Sequence, residues 1–133
     1  MIDFVVPSDE TLLEHHVLVR SDNPFQKRAR LLQALWRESR GLPIGLHRAR
    51  PLGSRLAMPY AQETLANYMT DVVRDVVRTE VMTPSGHGDQ LYQEPRIFED
   101  LLSSQPLCFN LFAEIVVSQT TLRLRLLTFS TIM

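Results

Sequence analysis

A helix that is apolar almost all round has to be surrounded by protein, and residues 104–118, SQPLCFNLFAEIVVS, read as such a helix. Ser104, Gln105 and Pro106 have the composition of a helix start. After them Leu107, Cys108, Phe109, Leu111, Phe112, Ile115, Val116 and Val117 leave almost no polar stripe, which predicts the buried centre of the fold. Burying such a helix takes a good deal of other apolar chain. The 133 residues are 44% hydrophobic and 22% charged, enough for one folded domain and too short for two full-sized cores. No run approaches the ~20 apolar residues that cross a bilayer. Met1-Ile2-Asp3 opens without the basic-then-apolar pattern of a secretion signal, so the expectation is a cytoplasmic protein with no membrane partner. The single cysteine, Cys108, excludes an internal disulfide and a Cys-rich zinc cage. Flanked by Leu107 and Phe109, it is expected to be an inert core thiol.

The net charge of −1 conceals a polarised chain. Residues 20–55 hold nine basic side chains against two acids, Asp22 and Glu38, for a net +7; the remainder holds five arginines against thirteen carboxylates, for −8. Such near-cancellation fits arginines that pair with the acidic remainder inside one fold. It also fits a basic helix and loop, with Lys27, Arg30, Arg37, Arg48, Arg50 and Arg55 as candidate contacts, docking on nucleic acid or on an acidic protein with strong salt dependence. Thirteen of the fourteen basic residues are arginine, the side chain suited to bidentate contact with phosphate or carboxylate.

Along the chain, residues 8–19 read as a first helix with Ser8 as N-cap and Asp9 and Glu10 in its first turn. The strongest helix signal is Pro24 to Arg40, opened by Asn23 and Pro24 and stopped by Gly41. Its Phe25, Ala29, Leu31, Leu32, Leu35 and Trp36 share one arc and its Lys27, Arg30 and Arg37 lie opposite, predicting a buried apolar face and an exposed basic one. Arg28 falls inside the apolar arc and should snorkel or meet a carboxylate. Residues 41–59, GLPIGLHRARPLGSRLAMP, hold three glycines and three prolines and read as a long Gly/Pro/Arg loop. Helical spacing resumes at Tyr60, with Leu65 and Tyr68 on one side, and Thr70 caps a helix from Asp71 to Val81 on Val72, Val73, Val76 and Val77. Pro95 opens a short helix, RIFEDLLSS. In residues 119–133 the alternation of Leu122, Leu124 and Leu126 with Arg123 and Arg125 suits a strand as well as a helical continuation.

Sites for chemistry are scarce. His15 and His16 are adjacent, so on a helix they point ~100° apart and cannot share a metal. Ser85, His87 and Asp89 carry the letters of a triad within one five-residue turn, too short to supply roles that ordinarily come from separate elements. GLPIG lacks the ending of a phosphate-binding P-loop. Glu99, Asp100 and Glu114 could bind Mg²⁺ if their helices crossed; solvated helix faces account for them more simply.

Four stretches are more distinctive: ARLLQALWRESRGLPIG (29–45), LGSRL (52–56), NYMTDVVRDVV (67–77) and FEDLLSSQPLCFNLFAEI (98–115). In this order they resemble the N-terminal part of a bacterial family of the PD-(D/E)XK nuclease superfamily, the restriction-endonuclease-like fold. The run Ser103, Ser104, Gln105, Pro106, Leu107, Cys108, Phe109, Asn110, Leu111 and Phe112 is the signature, and the resemblance implies that it is helical and packs beside the nuclease sheet. It also implies a mainly α chain: the helical N-terminal portion of an α/β fold whose catalytic sheet is largely or wholly missing, so that 1–133 forms a single, incomplete domain. In that superfamily an Asp and the Glu of a following Glu-x-Lys hold Mg²⁺ for phosphodiester hydrolysis, on strands that follow the helical region. Here the only lysine, Lys27, has Phe25 two places before it, and none of the seven glutamines has an acid at that position. The expectation is therefore no catalytic residue, no metal site and no cofactor in this chain, Mg²⁺ belonging to a complete family member. Truncation or a shifted frame would explain the TFSTIM ending, and a second polypeptide could complete the fold.

Overall fold

The computed structural model describes residues 5–83 and 92–132. The elements in chain order are α1 (Asp9–Glu14), α2 (Pro24–Ser39), β1 (Ile44–His47), β2 (Arg50–Leu56), α3 (Tyr60–Thr64), α4 (Asp71–Glu80), α5 (Arg96–Glu99) and α6 (Ser104–Ile132). Helix predominates among the described residues, and the two strands pair as a small antiparallel sheet. Contacts divide the chain into two compact units, Met1–Asn67 with Gln93–Ser103, and Tyr68–Tyr92 with Ser104–Met133.

In the first unit, α1 begins where expected, the Ser8 hydroxyl accepting from the Thr11 N–H at 3.2 Å. It stops five residues early. His16 takes a left-handed φ of 57°, its N–H donates to the Leu13 carbonyl, and the Val17 N–H donates to the Leu12 carbonyl. That pair of bonds is a Schellman stop, and the apolar contact that accompanies it is Leu12 against Val17, both fully buried. The same device, with Gly41 at φ 64°, closes α2 through Gly41 N–H to Glu38 O and Leu42 N–H to Arg37 O. At its other end Asn23 and Gln26 form a reciprocal capping box, worth roughly 1 kcal/mol.

Residues 41–59 are not a loop. They fold into the β1–β2 hairpin, with His47 opposite Arg50 and Leu46 opposite Pro51, and an irregularity between Ile44 and Gly45. The prolines and glycines that argued for a loop sit at positions a hairpin tolerates: Pro51 on an exposed stretch of strand, and Gly45 and Gly53 where backbone passes close. The turn is two residues long, and its central Arg48 and Ala49 both have positive φ, 50° and 63°, the mark of a type I′ turn. An alanine in that region costs about 1 kcal/mol. Ala49→Gly is expected to raise the urea midpoint by an amount equivalent to about 0.5–1 kcal/mol at unchanged slope, the relief of strain outweighing the added freedom of the unfolded chain.

The second unit is built on α4 and α6. Thr70 caps α4 as expected, accepting from the Val73 N–H, and Val73 and Val77 are buried. The tail is helical, α6 running without a break from Ser104 through Ile132. This helix is not the buried centre that its composition predicts. Ala113 and Pro106 are buried, but Leu107, Leu111, Phe112, Ile115 and Val116 are each more than half exposed. Among the described residues α4 is the helix packed on α6, and it leaves these side chains uncovered.

Candidate functional site

The facing expected of α2 holds at Leu31, which packs against the core cluster, and fails at other positions. Phe25, Leu32 and Leu35 lie exposed, whereas Ala34 is fully buried and Arg37 is 7% exposed. The helix turns its arginines inward because the hairpin offers them partners. Arg37 Nε donates to the Gly53 carbonyl at 3.0 Å and its Nη1 to the Leu42 carbonyl at 2.9 Å. Arg30 forms an ion pair with Asp22 and donates from Nη1 to the buried Ser54 hydroxyl at 3.1 Å. Charge-assisted bonds of this kind offset the loss of hydration that would otherwise keep a guanidinium in water. Gln33, on the same side of the helix, donates to the Leu101 carbonyl at 2.6 Å. Arg28 is half-buried beside Leu31 and Leu32, along a surface groove that also takes in Val5 and Val6.

Residues 53–55 are the hub of this unit. The Gly53 N–H donates to the His16 carbonyl at 2.8 Å, the Ser54 carbonyl accepts from the Leu101 N–H at 3.0 Å, and Arg55 pairs across to Asp100 as an isolated bridge. The Arg55 side chain carries two carboxylates, Glu99 at 3.0 Å and Asp100 at 3.8 Å, and Arg96 reaches Asp100 at 3.5 Å. Glu99 and Asp100 are buried, at 8% and 6% exposure, so they are not the solvated helix face that their sequence suggested. Burial, assisted by the neighbouring Asp100, pushes the Glu99 carboxyl up from its ordinary range against the opposing pull of Arg55. Asp100 also accepts from the Leu102 N–H at 3.0 Å, which stops α5 at Glu99 and ends the RIFEDLLSS helix well short of the expected length.

The six basic residues singled out from the sequence therefore separate. Arg30, Arg37 and Arg55 are held inside the unit by the partners just described, and Lys27 stands 4.0 Å from Asp9. Arg48 and Arg50 are exposed at the hairpin tip, without an ion pair among the described residues. Beside them, partial desolvation and the positive charges of Arg55, Arg48 and Arg30 hold the His47 imidazole below its ordinary range, opposed by Asp100. His15, half-buried, pairs with Glu38 at 2.9 Å.

The signature run has largely structural duties. Ser103 and Pro106 are buried; Gln105, Phe109 and Asn110 are half-buried; Ser104, Leu107, Leu111 and Phe112 are exposed. Phe109 makes an edge contact with Tyr68, centroids 6.2 Å apart, and a tilted one with Tyr92 at 6.0 Å. Tyr68 is fully buried, which pushes its phenol far above the ordinary tyrosine range. The Asn110 side-chain oxygen accepts from the Met69 N–H at 2.9 Å, and Glu114 accepts from the Thr70 hydroxyl at 2.7 Å, so α6 fixes the start of α4. Cys108 is exposed, not a core thiol; it lines an open groove with Val76 and Glu80 of α4. Ser85, His87 and Asp89 lie outside the described residues.

No group of three His, Cys, Asp or Glu side chains converges among the described residues. The buried pair Glu99 and Asp100 is already neutralised by arginine. Among the described residues, Gln33 Oε1 and Arg55 Nε are buried side-chain polar atoms without a hydrogen-bond partner. Among the described residues no helix is long and apolar enough to cross a membrane.

The sequence matches a family model of the PD-(D/E)XK nuclease superfamily over residues 20–131, nearly its whole length. The chain belongs to that superfamily. No curated protein and no solved structure matches it.

Proposed function

We propose that this polypeptide is the helical, non-hydrolytic portion of a PD-(D/E)XK protein, a relative of metal-dependent DNA hydrolases that does not cut nucleic acid by itself. The observation that carries this reading is the state of its buried acids. Glu99 and Asp100, adjacent carboxylates in the most distinctive segment of the chain, are committed to Arg55. The sequence supplies no Glu-x-Lys to pair with any other acid. Hydrolysis in this superfamily needs carboxylates free to hold a cation and an amine beside the attacking water. The exposed apolar faces of α2 and α6 support further protein, on a second polypeptide, packing against them. Purified protein incubated with supercoiled plasmid in Mg²⁺ or Mn²⁺ is expected to leave the plasmid intact. Nicking that follows the protein peak through successive columns would overturn the proposal.

A second reading, a binding module without catalysis, is favoured by Arg48 and Arg50. These are exposed at a tight turn, with no ion pair among the described residues, whereas Arg30, Arg37 and Arg55 on the same unit are engaged internally. Two guanidinium groups on the tip of a hairpin can reach phosphates along a duplex. In a salt titration of duplex DNA with blunt hydroxyl ends, affinity should fall with a log–log slope of about −2, one phosphate for each arginine, and the Arg48→Gln, Arg50→Gln double variant should abolish the slope.

A further inference from the structure

The end of α1 and the tip of the hairpin enclose a concavity of about 380 Å³. Its floor is apolar, formed by Leu18, Val19, Pro51 and Leu52, and its polar lining consists of His16, His47 and Arg50. Each of the three is placed there by a backbone feature. The Schellman stop turns the chain at His16 and sends Leu18 and Val19 back along β2, held by the Gly53–His16 hydrogen bond. The two-residue turn sets His47 directly opposite Arg50 in the register of the sheet.

The chemistry of this lining is one-sided. No acidic side chain lines the concavity, and Arg50 has no carboxylate partner among the described residues, whereas Arg30, Arg37 and Arg55 of the same unit do. An unpaired guanidinium and two imidazoles present N–H donors to one space, and an anion satisfies them together. A phosphomonoester has three terminal oxygens and up to two negative charges, so it matches three donor side chains better than a planar carboxylate does. The volume lies at the lower end of small-molecule sites, which suits one ring and excludes a dinucleotide. The apolar floor requires that the ligand carry such a ring.

We infer that the concavity lined by His16, His47 and Arg50 binds a phosphomonoester attached to a single apolar or aromatic ring. The phosphate lies against the three polar side chains and the ring over Leu18, Val19 and Leu52. This goes beyond the family assignment and is independent of whether the protein cuts nucleic acid, because the recognised group is a terminal phosphate and not an internal diester.

Phenyl phosphate is the direct probe, compared by calorimetry with inorganic phosphate and phenol on the full chain. Phenyl phosphate should bind at least tenfold more tightly than either. Arg50→Gln and His47→Ala should each weaken it tenfold or more with the thermal transition unchanged, as both side chains are exposed, and Arg78→Gln, in the other unit, should leave it unaltered. Equal binding of phenyl phosphate and inorganic phosphate, or an Arg50→Gln variant that binds like the parent, would overturn the inference. A 5′-phosphorylated single strand compared with its 5′-hydroxyl counterpart separates the sources. A gain from the phosphate assigns the site to strand ends, and no gain beside a phenyl phosphate signal assigns it to free metabolites.

Discussion

Replacing Arg55 by methionine is expected to destabilise the first unit by about 3–5 kcal/mol, because it leaves Glu99 and Asp100 buried, adjacent and without their shared counter-charge. The loss should depend on pH in a defined direction. With the arginine gone, burial and the neighbouring Asp100 charge raise the Glu99 carboxyl further above its unfolded value. The folded state then holds protons that the unfolded state has released. The variant is therefore most stable at acid pH, below the unfolded carboxylate pKa, and loses stability as pH rises through the folded value. Adding Glu99→Gln to Arg55→Met should recover part of the loss at pH 7 and flatten the pH profile. Urea unfolding at pH 4.5 and pH 7.5 measures both effects. A single variant equally stable at the two values would show that the ion cluster contributes nothing specific.

Gly53→Ala is the second large effect. A Cβ at this position would lie 2.2 Å from the His15 carbonyl oxygen and 3.0 Å from both Ala34 Cβ and Val17 Cγ1. A backbone oxygen cannot move aside as a flexible side chain can, so β2 must separate from the segment after α1. That separation breaks the Gly53–His16 hydrogen bond and opens the cluster of Leu12, Val17 and Ala34. A destabilisation of about 3 kcal/mol or more is expected, at the upper end for overpacking. Gly41→Ala, where no atom lies within 4 Å, is the contrasting case: there only the left-handed φ is penalised, at about 1 kcal/mol. A Gly53→Ala protein no less stable than Gly41→Ala would refute the close-approach argument.

These two positions also show where the sequence was legible and where it was not. Caps and stops were readable because they are local: Ser8, Asn23, Gly41 and Thr70 act through bonds to residues three or four places away. The early stop of α1 was hidden because a histidine, not a glycine, occupies the left-handed position. The hairpin was hidden because its strands do not alternate. Residues 52–54 are buried in succession, Gly53 and Ser54 among them, since they pass between neighbouring backbones and not over a solvated face. The facing of α2 was misread for a related reason. Periodicity scores side chains as if arginine always seeks water, but Arg30 and Arg37 find carboxylate, hydroxyl and carbonyl partners from residues 5 to 24 places away in the chain. The candidate site was legible only in its composition. That residues 20–55 are basic is visible in the sequence; which arginines are engaged and which are available depends on contacts from Glu99 and Asp100, over forty positions later.

The first unit is discontinuous, and that bears on how a growing chain acquires it. Residues 93–103 return to complete it after the excursion through 68–92, bringing the Leu101 amide to Ser54 and the acids to Arg55. Until the ribosome has released that returning segment, the hairpin has an unclaimed edge and a half-buried arginine, Arg55, without Glu99 and Asp100. Nascent chains arrested before residue 103 should therefore remain protease-sensitive throughout, and protection should arrive in one step once the returning segment has emerged.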